Sequence, residues 1–499
     1  MENRTYIFNP FYTLKNDKNR IILLNTPSFD VPDKLADDSI ELFINPVFAI
    51  IFANFNGKKS YKEILYDLEK IFQIGKNEIK KFVKPFINNK ERIVVEYDGT
   101  KLEFPKNILI DMKDDYILRN LKFDNFIIDN ELDLVTYRHN SPTSISLLIN
   151  TVCVTDCIYC YVDRRKKMKA QLSLSKIINL IQEAKKIGVV DFDISGTEFF
   201  LYKNWYEVLR ELLKNNYLPY LTTKIPLKEQ DILKLKKLNI KDLQLSIDTN
   251  NIKIAKKVNR VLDNNYTKKM FETLKVLNSN NINVVINTVL TNINGSPKQV
   301  KELLDELNKY KIARISLNPA ERSDYWRSED FDRDKLTGKQ ISELEEFIEI
   351  IKNNYNFEII MTGFADKNII EGNFKVKKLN FNNRSFCSAN MSKMSILTDG
   401  KVTICEELYW NPNFIIGDVN NQSLMEIWNS DKALKLAGLE REIFSDDSVC
   451  KTCKEFENCR LGKGVCWSEV AEAYGQENWD FPSPVCPYAP KPLYSIHHD

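Results

Sequence analysis

Histidine is nearly missing from this chain: three occur among 499 residues, two of them at positions 497 and 498. An imidazole-built zinc or copper centre is thereby excluded as an organising feature, and any metal site must rest on sulfur. Charge of one sign is missing too, since a net +2 with 28% charged residues means that both signs are interspersed. That balance gives no footing for a nucleic-acid or membrane-surface partner. Long hydrophobic runs are absent: the longest strongly apolar stretch, residues 47–55, is far short of the roughly 20 residues that span a bilayer. The opening residues, from Met1 to Tyr6, lack the apolar core of a signal peptide. Together these absences predict a cytoplasmic protein with neither membrane nor nucleic acid as partner.

An apolar fraction of 43% is that of a folded chain, and the length suits roughly two to four domains. Ten cysteines in a reducing compartment read as metal ligands or catalytic groups, not as a disulfide framework. Their placement is uneven. None precedes Cys153, three lie between 153 and 160, and the other seven are Cys387, Cys405, Cys450, Cys453, Cys459, Cys466 and Cys486.

The triplet Cys153-x3-Cys157-x2-Cys160 has the spacing to hold three corners of a [4Fe–4S] cluster and leave the fourth iron open. A closed structural site needs a fourth ligand nearby, and Tyr161, Val162 and Asp163 supply neither cysteine nor histidine. An open iron binds a small molecule, so the spacing points to chemistry.

Around this loop the chain divides by pattern. Residues 1–105 read as a small α+β unit: a hairpin across residues 12–24, helices over 46–55, 61–72 and 77–88, and a closing strand from Arg92. Ser60 with Glu63 three residues on is a capping-box signature for the second helix. Residues 106–141 are charged and weakly patterned and read as a linker. From 142 to 375 strands and helices alternate, with strands expected at 144–149, 190–195, 217–223, 242–247, 282–290 and 313–317. Helices fall between them, one starting at Ser296 and Pro297. Such βα units imply a parallel sheet with helices outside, curled as a partial (β/α)6 barrel of the TIM type. Ligands of such sheets bind at the C-terminal strand ends, where the cysteine triplet falls. Residues 376–499 have short strands, a hairpin turning at Asp399 and Gly400, and seven cysteines.

The triplet, a Cx3CxΦC loop with Tyr159 as Φ, resembles that of the radical S-adenosylmethionine (radical SAM) enzymes. A zinc knuckle is the plain alternative. The resemblance implies SAM bound at the open iron of a [4Fe–4S] cluster. It also implies further contacts: Gly196 and Glu198 match the family's Gly-Gly-Glu, which binds the methionine amino group, although Thr197 replaces the second glycine. Ser246 and Asp248 end the fourth strand where the family makes polar SAM contacts, and Arg260 follows as a candidate partner for the SAM carboxylate. Ordinary strand-end or surface roles stand beside each of these three.

The later cysteines resemble the SPASM domain, which carries auxiliary iron–sulfur clusters. Cys387-x12-Gly400-x4-Cys405 and Cys450-x2-Cys453-x5-Cys459 fit its pattern, and Cys486 is the final lone cysteine. Six residues separate Cys459 from Cys466 where the family has three. The resemblance implies one cluster on Cys450, Cys453, Cys459 and Cys486, and another on Cys387, Cys405 and Cys466 with a fourth position left open or non-cysteine. A zinc ribbon is the alternative. The N-terminal unit, through residues 45–65, resembles the PqqD-like peptide-recognition element, with a DNA-binding winged helix as its alternative. Such an element would add a leader peptide as a strand to its hairpin's edge.

The three resemblances imply an enzyme that matures a ribosomally made precursor peptide, with electrons from a flavodoxin- or ferredoxin-type donor. A 5′-deoxyadenosyl radical would take a hydrogen from the substrate, and a thioether or side-chain crosslink would follow. No catalytic residue beyond the SAM cluster is assigned. Epimerisation needs a spare thiol, and the resemblance commits all ten to clusters, which disfavours it; a non-ligating Cys466 would reopen it. A sulfatase-maturase-like enzyme, a peptide epimerase and a non-enzymatic iron–sulfur winged-helix regulator remain as alternative readings.

Overall fold

A closed capping box starts the helix Tyr61–Phe72: Ser60 accepts from the Glu63 N–H while the Glu63 carboxylate accepts from the Ser60 N–H at 2.8 Å. Its buried face is Ile64, Leu65 and Leu68, the apolar stripe expected of an amphipathic helix. This computed structural model describes residues 3–26, 36–37, 40–97, 99–113, 121–162, 171–323, 328–363 and 374–494. It divides into two units, residues 1–143 with 185–191, and residues 144–184 with 192–499.

In the first unit the strands Tyr12–Asn16, Ile21–Asn25 and Glu41–Ile44 form an antiparallel sheet in that order. The helices Pro46–Asn54, Tyr61–Phe72 and Lys76–Val83 follow, the last continuing as a 3-10 turn, Lys84–Phe86. A hairpin, Ile93–Tyr97 with Thr100–Phe104, completes the α+β arrangement. Phe48, Phe52, Phe86 and Phe104 are fully buried, and the Phe48 and Phe104 ring centroids are 4.7 Å apart, within contact range for aromatic pairs.

The stretch read as a linker, 106–141, is folded wherever it is described. Leu109–Asp111 pairs antiparallel with Tyr6–Phe8, and Ile108, Leu109 and Ile110 are buried. Further on, buried polar groups hold it. Lys15 Nζ donates to the Ser141 carbonyl at 2.6 Å, and Arg20 donates to the Arg138 carbonyl at 2.7 Å. Asp17 accepts from the Asn140 N–H at 3.1 Å. Hydrogen bonds from a buried ion cluster have no hydrophobic period, which is why the pattern alone reads as a linker.

In the second unit five parallel strands run in the order Thr222–Thr223, Asp242–Ser246, Asn283–Leu290, Arg314–Pro319 and Glu358–Met361. Ser144–Leu148 and Asp191–Ser195 neighbour each other in a second sheet. All six expected barrel strands are present, and Glu358–Met361 is a seventh that the alternation did not mark. The expected strand at 217–223 is in the ladder only at Thr222–Thr223. Helices cover the strands as expected, Pro297–Leu307 burying Val300, Leu303, Leu304 and Leu307 behind a Ser296–Gln299 capping box.

The C-terminal hairpin, Lys393–Ile396 with Lys401–Thr403, is not a separate sheet. Lys393–Ile396 lies parallel to Ser144–Leu148, with Ser395 opposite Ser146 and their hydroxyls 2.7 Å apart. The barrel and the cysteine-rich region therefore share one sheet and one unit. Among the described residues, no helix is long and apolar enough to cross a membrane.

Candidate functional site

Parallel strands leave backbone ends and polar side chains at their C-terminal edge, and here these line a cavity of about 840 Å³. Cys153, Cys157 and Cys160 all face it from the loop after Ser144–Leu148. The loop is pinned by its own backbone: the N–H groups of Asp156 and Ile158 donate to the carbonyls of Asn259 and Val258, each at 2.9 Å. Ile158 packs against Ala320 and Phe331. Thr155 Oγ1 lies 3.1 Å from Cys153 Sγ and 3.4 Å from Cys157 Sγ. Burial raises the Cys153 thiol pKa, and the nearby Glu198 carboxylate adds to the rise. Among the described residues no three Cys, His, Asp or Glu side chains converge on one ion.

The strand Asp191–Ser195 delivers Gly196 and Glu198 to the same cavity. Gly196 has φ +95°, and a Cβ there would sit 1.7 Å from Leu148 Cδ1, so only glycine fits. Thr197, which stands where the family has its second glycine, turns its hydroxyl to the Asn150 carbonyl at 2.6 Å. Glu198 is 4% exposed. Its carboxylate accepts from Thr223 Oγ1 at 2.7 Å and the Lys224 N–H at 2.6 Å. Burial nevertheless keeps its pKa above the usual carboxylate value.

Tyr159 and Ser246 also line the cavity. Asp248 lies buried beside it, accepting from Tyr159 Oη and Asn259 Nδ2 and pairing with Lys224 Nζ at 2.9 Å. Arg260 is the exception. Its guanidinium pairs with Asp156 at 3.5 Å at the surface, both side chains being more than half exposed, and it is absent from the cavity lining. The cation that does line the cavity beside these residues is Lys224, with Nζ 5.4 Å from the Tyr159 ring centroid. Burial opposes its charge, but Asp248 and then Cys157 overcome that and hold its pKa above the ordinary lysine value. Lys224, Thr223 and Asn259 were not singled out by motif. The available signal was position alone, Thr223 and Lys224 being the polar end of the third strand.

The remaining seven cysteines fall into two groups. Cys466 lines the same large cavity, together with Glu321, Glu407 and Glu469. Cys387 is its neighbour: the Cys387 N–H donates to the Lys463 carbonyl at 3.0 Å, and Gly464, at φ +70°, would bring a Cβ within 3.3 Å of Cys387 Cβ. Burial first, then Glu469 and Cys387, pushes the Cys466 thiol up to about 12. Burial first, then Glu407 and, more weakly, Cys387, does the same to Cys405, also to about 12. Ser468 Oγ links Cys466 Sγ, at 3.2 Å, to the Glu407 carboxylate, at 2.7 Å.

Cys450, Cys453, Cys459 and Cys486 line a second cavity of about 280 Å³. The six-residue interval after Cys459 has a structural reason: Glu457–Lys463 is a π-helix, a wider turn that absorbs extra residues. Gly464 then reverses the chain so that Cys466 starts the helix Trp467–Tyr474. No disulfide joins any two of the ten cysteines. Cys153, Cys157, Cys160 and Cys466 thus line one cavity and Cys450, Cys453, Cys459 and Cys486 the other.

Comparison with known proteins agrees. Residues 147–307 match the radical SAM superfamily, and residues 387–454 match SPASM, an iron–sulfur cluster-binding domain. No curated protein sequence matches the chain. The fold is similar to that of Streptococcus suis SuiB bound to its precursor peptide SuiA, at 16% identity and a TM-score of 0.60, covering 97% of this chain and 100% of that one. SuiB bound to S-adenosylmethionine is similar at 16% identity and a TM-score of 0.62, covering 96% and 99%.

Proposed function

We propose that this radical SAM/SPASM enzyme, whose fold is that of SuiB, modifies a ribosomally synthesised precursor peptide by forming a thioether or a side-chain crosslink. The observation that carries the reading is one cavity of about 840 Å³ lined by Cys153, Cys157 and Cys160 and also by Cys466. A radical-generating site and an auxiliary site then address the same substrate space. Cys153, Cys157 and Cys160 would hold an iron–sulfur cluster with SAM at its open iron, and the pair would supply the radical chemistry that removes a substrate hydrogen.

The chain's own residues hold and orient. Glu198 is suited to the SAM ammonium: burial raises its pKa, and a bound cation restores the charged form. Lys224 takes the carboxylate role first given to Arg260, because it is the lysine that lines the cavity. Tyr159 and Asn259 keep Asp248 and Lys224 in place. Gly196 lets the backbone pass close under Leu148, and Ser246 adds a polar group to the wall.

In the first unit the edge strand Glu41–Ile44 is partly exposed, while the opposite edge, Tyr12–Asn16, is almost wholly buried. A PqqD-like role would therefore place the leader against Glu41–Ile44, with main-chain bonds for affinity. A flavodoxin- or ferredoxin-type protein is the electron source, and ten cysteines with no disulfide joining them suit a reducing, cytoplasmic setting. With every cysteine in one of three groups, none is spare to donate a hydrogen for epimerisation. The test is the mass of the co-expressed precursor after anaerobic incubation with SAM and reductant. A loss of two hydrogens, abolished by deleting the leader, is expected. SAM cleavage with the peptide mass unchanged would overturn the crosslinking reading.

A further inference from the structure

The smaller cavity contains a buried positive charge that the fold alone does not need. Arg460 is 5% exposed. Its Nη2 donates to the Asp480 carbonyl at 2.9 Å and to the Phe481 carbonyl, and it also lies 3.3 Å from Cys450 Sγ. Its Nε and Nη1 are buried without a hydrogen-bond acceptor among the described residues. The rings of Phe444 and Trp467 flank the guanidinium at 5.1 and 5.4 Å. A buried cation with idle N–H groups is costly unless an anion meets it.

A second guanidinium faces the same space. Arg384 Nη2 donates to Cys459 Sγ at 3.2 Å and is braced by the Gly464 carbonyl at 2.7 Å. Lys378 and Lys463 also line this cavity, against one lining carboxylate, Glu455. The Cys387, Cys405 and Cys466 group has the opposite setting: Glu407 and Glu469 line the cavity with Cys466, and Ser468 Oγ joins Cys466 Sγ to the Glu407 carboxylate. Charge and hydrogen bonds at the sulfurs are what move the potential of an iron–sulfur centre. An added electron is stabilised by a nearby cation and opposed by a nearby carboxylate.

We propose that Arg460 and Arg384, by donating to the Cys450 and Cys459 thiolates, make the Cys450/Cys453/Cys459/Cys486 site the more easily reduced of the two auxiliary sites. This rests on reading the quartet as cluster ligands. The reaction concerned is uptake of one electron from a flavodoxin- or ferredoxin-class donor, or from dithionite in vitro, with no bond made or broken. The two arginines are positioning residues; the redox-active atoms lie elsewhere.

The test is an EPR-monitored redox titration of the reconstituted full chain, as wild type and as Arg460→Met, Arg384→Met and Arg460→Lys. In each Met variant the affinity of this site for its electron should fall about tenfold, a midpoint about 59 mV more negative, while the other auxiliary signal stays where it was. Arg460→Lys keeps the charge and should recover part of the shift. If both Met variants keep their iron and titrate as wild type does, the proposal is overturned. Should Arg460→Met lose its iron, Arg384→Met, whose side chain is only partly buried, decides by the same reading. Failure of the ligand reading itself looks different: a Cys450→Ala/Cys453→Ala variant that keeps its full iron content would remove the quartet as ligands whatever the potentials.

Discussion

The two cysteine-lined cavities differ in size, charge and openness to chemistry. One is about 840 Å³ and contains carboxylates (Glu198, Glu321, Glu407, Glu469) with Lys224 and Arg322. The other, about 280 Å³, gathers four cysteines among Arg384, Arg460, Lys378 and Lys463. The first has room for more than its thiols and polar groups of both signs, as a site needs when it must hold a cosubstrate and a substrate. The second is a third of that volume and is lined by four cysteines. The contrast teaches how the proposed division of work would be built: radical chemistry in the roomy cavity of mixed charge, electron storage in the small one rich in cations.

Replacing Cys157 with Ala should break the first cavity outright: SAM cleavage disappears and about four irons are lost, with the quartet's EPR signal retained. Cys453→Ala is the reciprocal break. It should also remove about four irons, yet leave SAM cleavage to 5′-deoxyadenosine measurable while crosslinked peptide is lost. Retention of crosslinking would make the smaller cavity dispensable and end the division of labour. Lys224→Met should weaken SAM binding about tenfold to a hundredfold by equilibrium dialysis, the worth of one hydrogen bond to a charged group. Glu407→Gln should make the Cys387/Cys405/Cys466 site about threefold to tenfold easier to reduce, up to about 59 mV more positive, opposite in sign to the arginine variants. Arg260→Ala should be the smallest effect, under about threefold in SAM affinity, because a surface ion pair contributes within about 0.5 kcal/mol.

What was legible in the chain beforehand was chemistry with fixed spacing. The cysteine triplet, the SPASM-type intervals and the capping pairs Ser60 with Glu63 and Ser296 with Gln299 depend on residues close in sequence, and local geometry honours them. The hairpin at Asp399 and Gly400 and the alternation of barrel strands are local in the same sense. What escaped depends on distant partners. Arg260 fits a motif offset, but its side chain found Asp156 at the surface, whereas Lys224 gains its place only when the third and fourth strands meet. The parallel pairing of Lys393–Ile396 with Ser144–Leu148 joins segments far apart in the chain, and no periodicity in either announces it. The stretch 106–141 looked like a linker because its anchors are buried polar contacts to Lys15, Asp17 and Arg20, which carry no apolar stripe. The π-helix Glu457–Lys463 likewise accounts for the length of an irregular cysteine interval that spacing alone left unexplained.

The most direct measurement is the iron content per chain after anaerobic reconstitution, read beside the EPR spectrum of the reduced protein. Three cysteine groups across two cavities predict about twelve irons and three separable signals. About four irons, with the triplet's signal alone, would contradict the account.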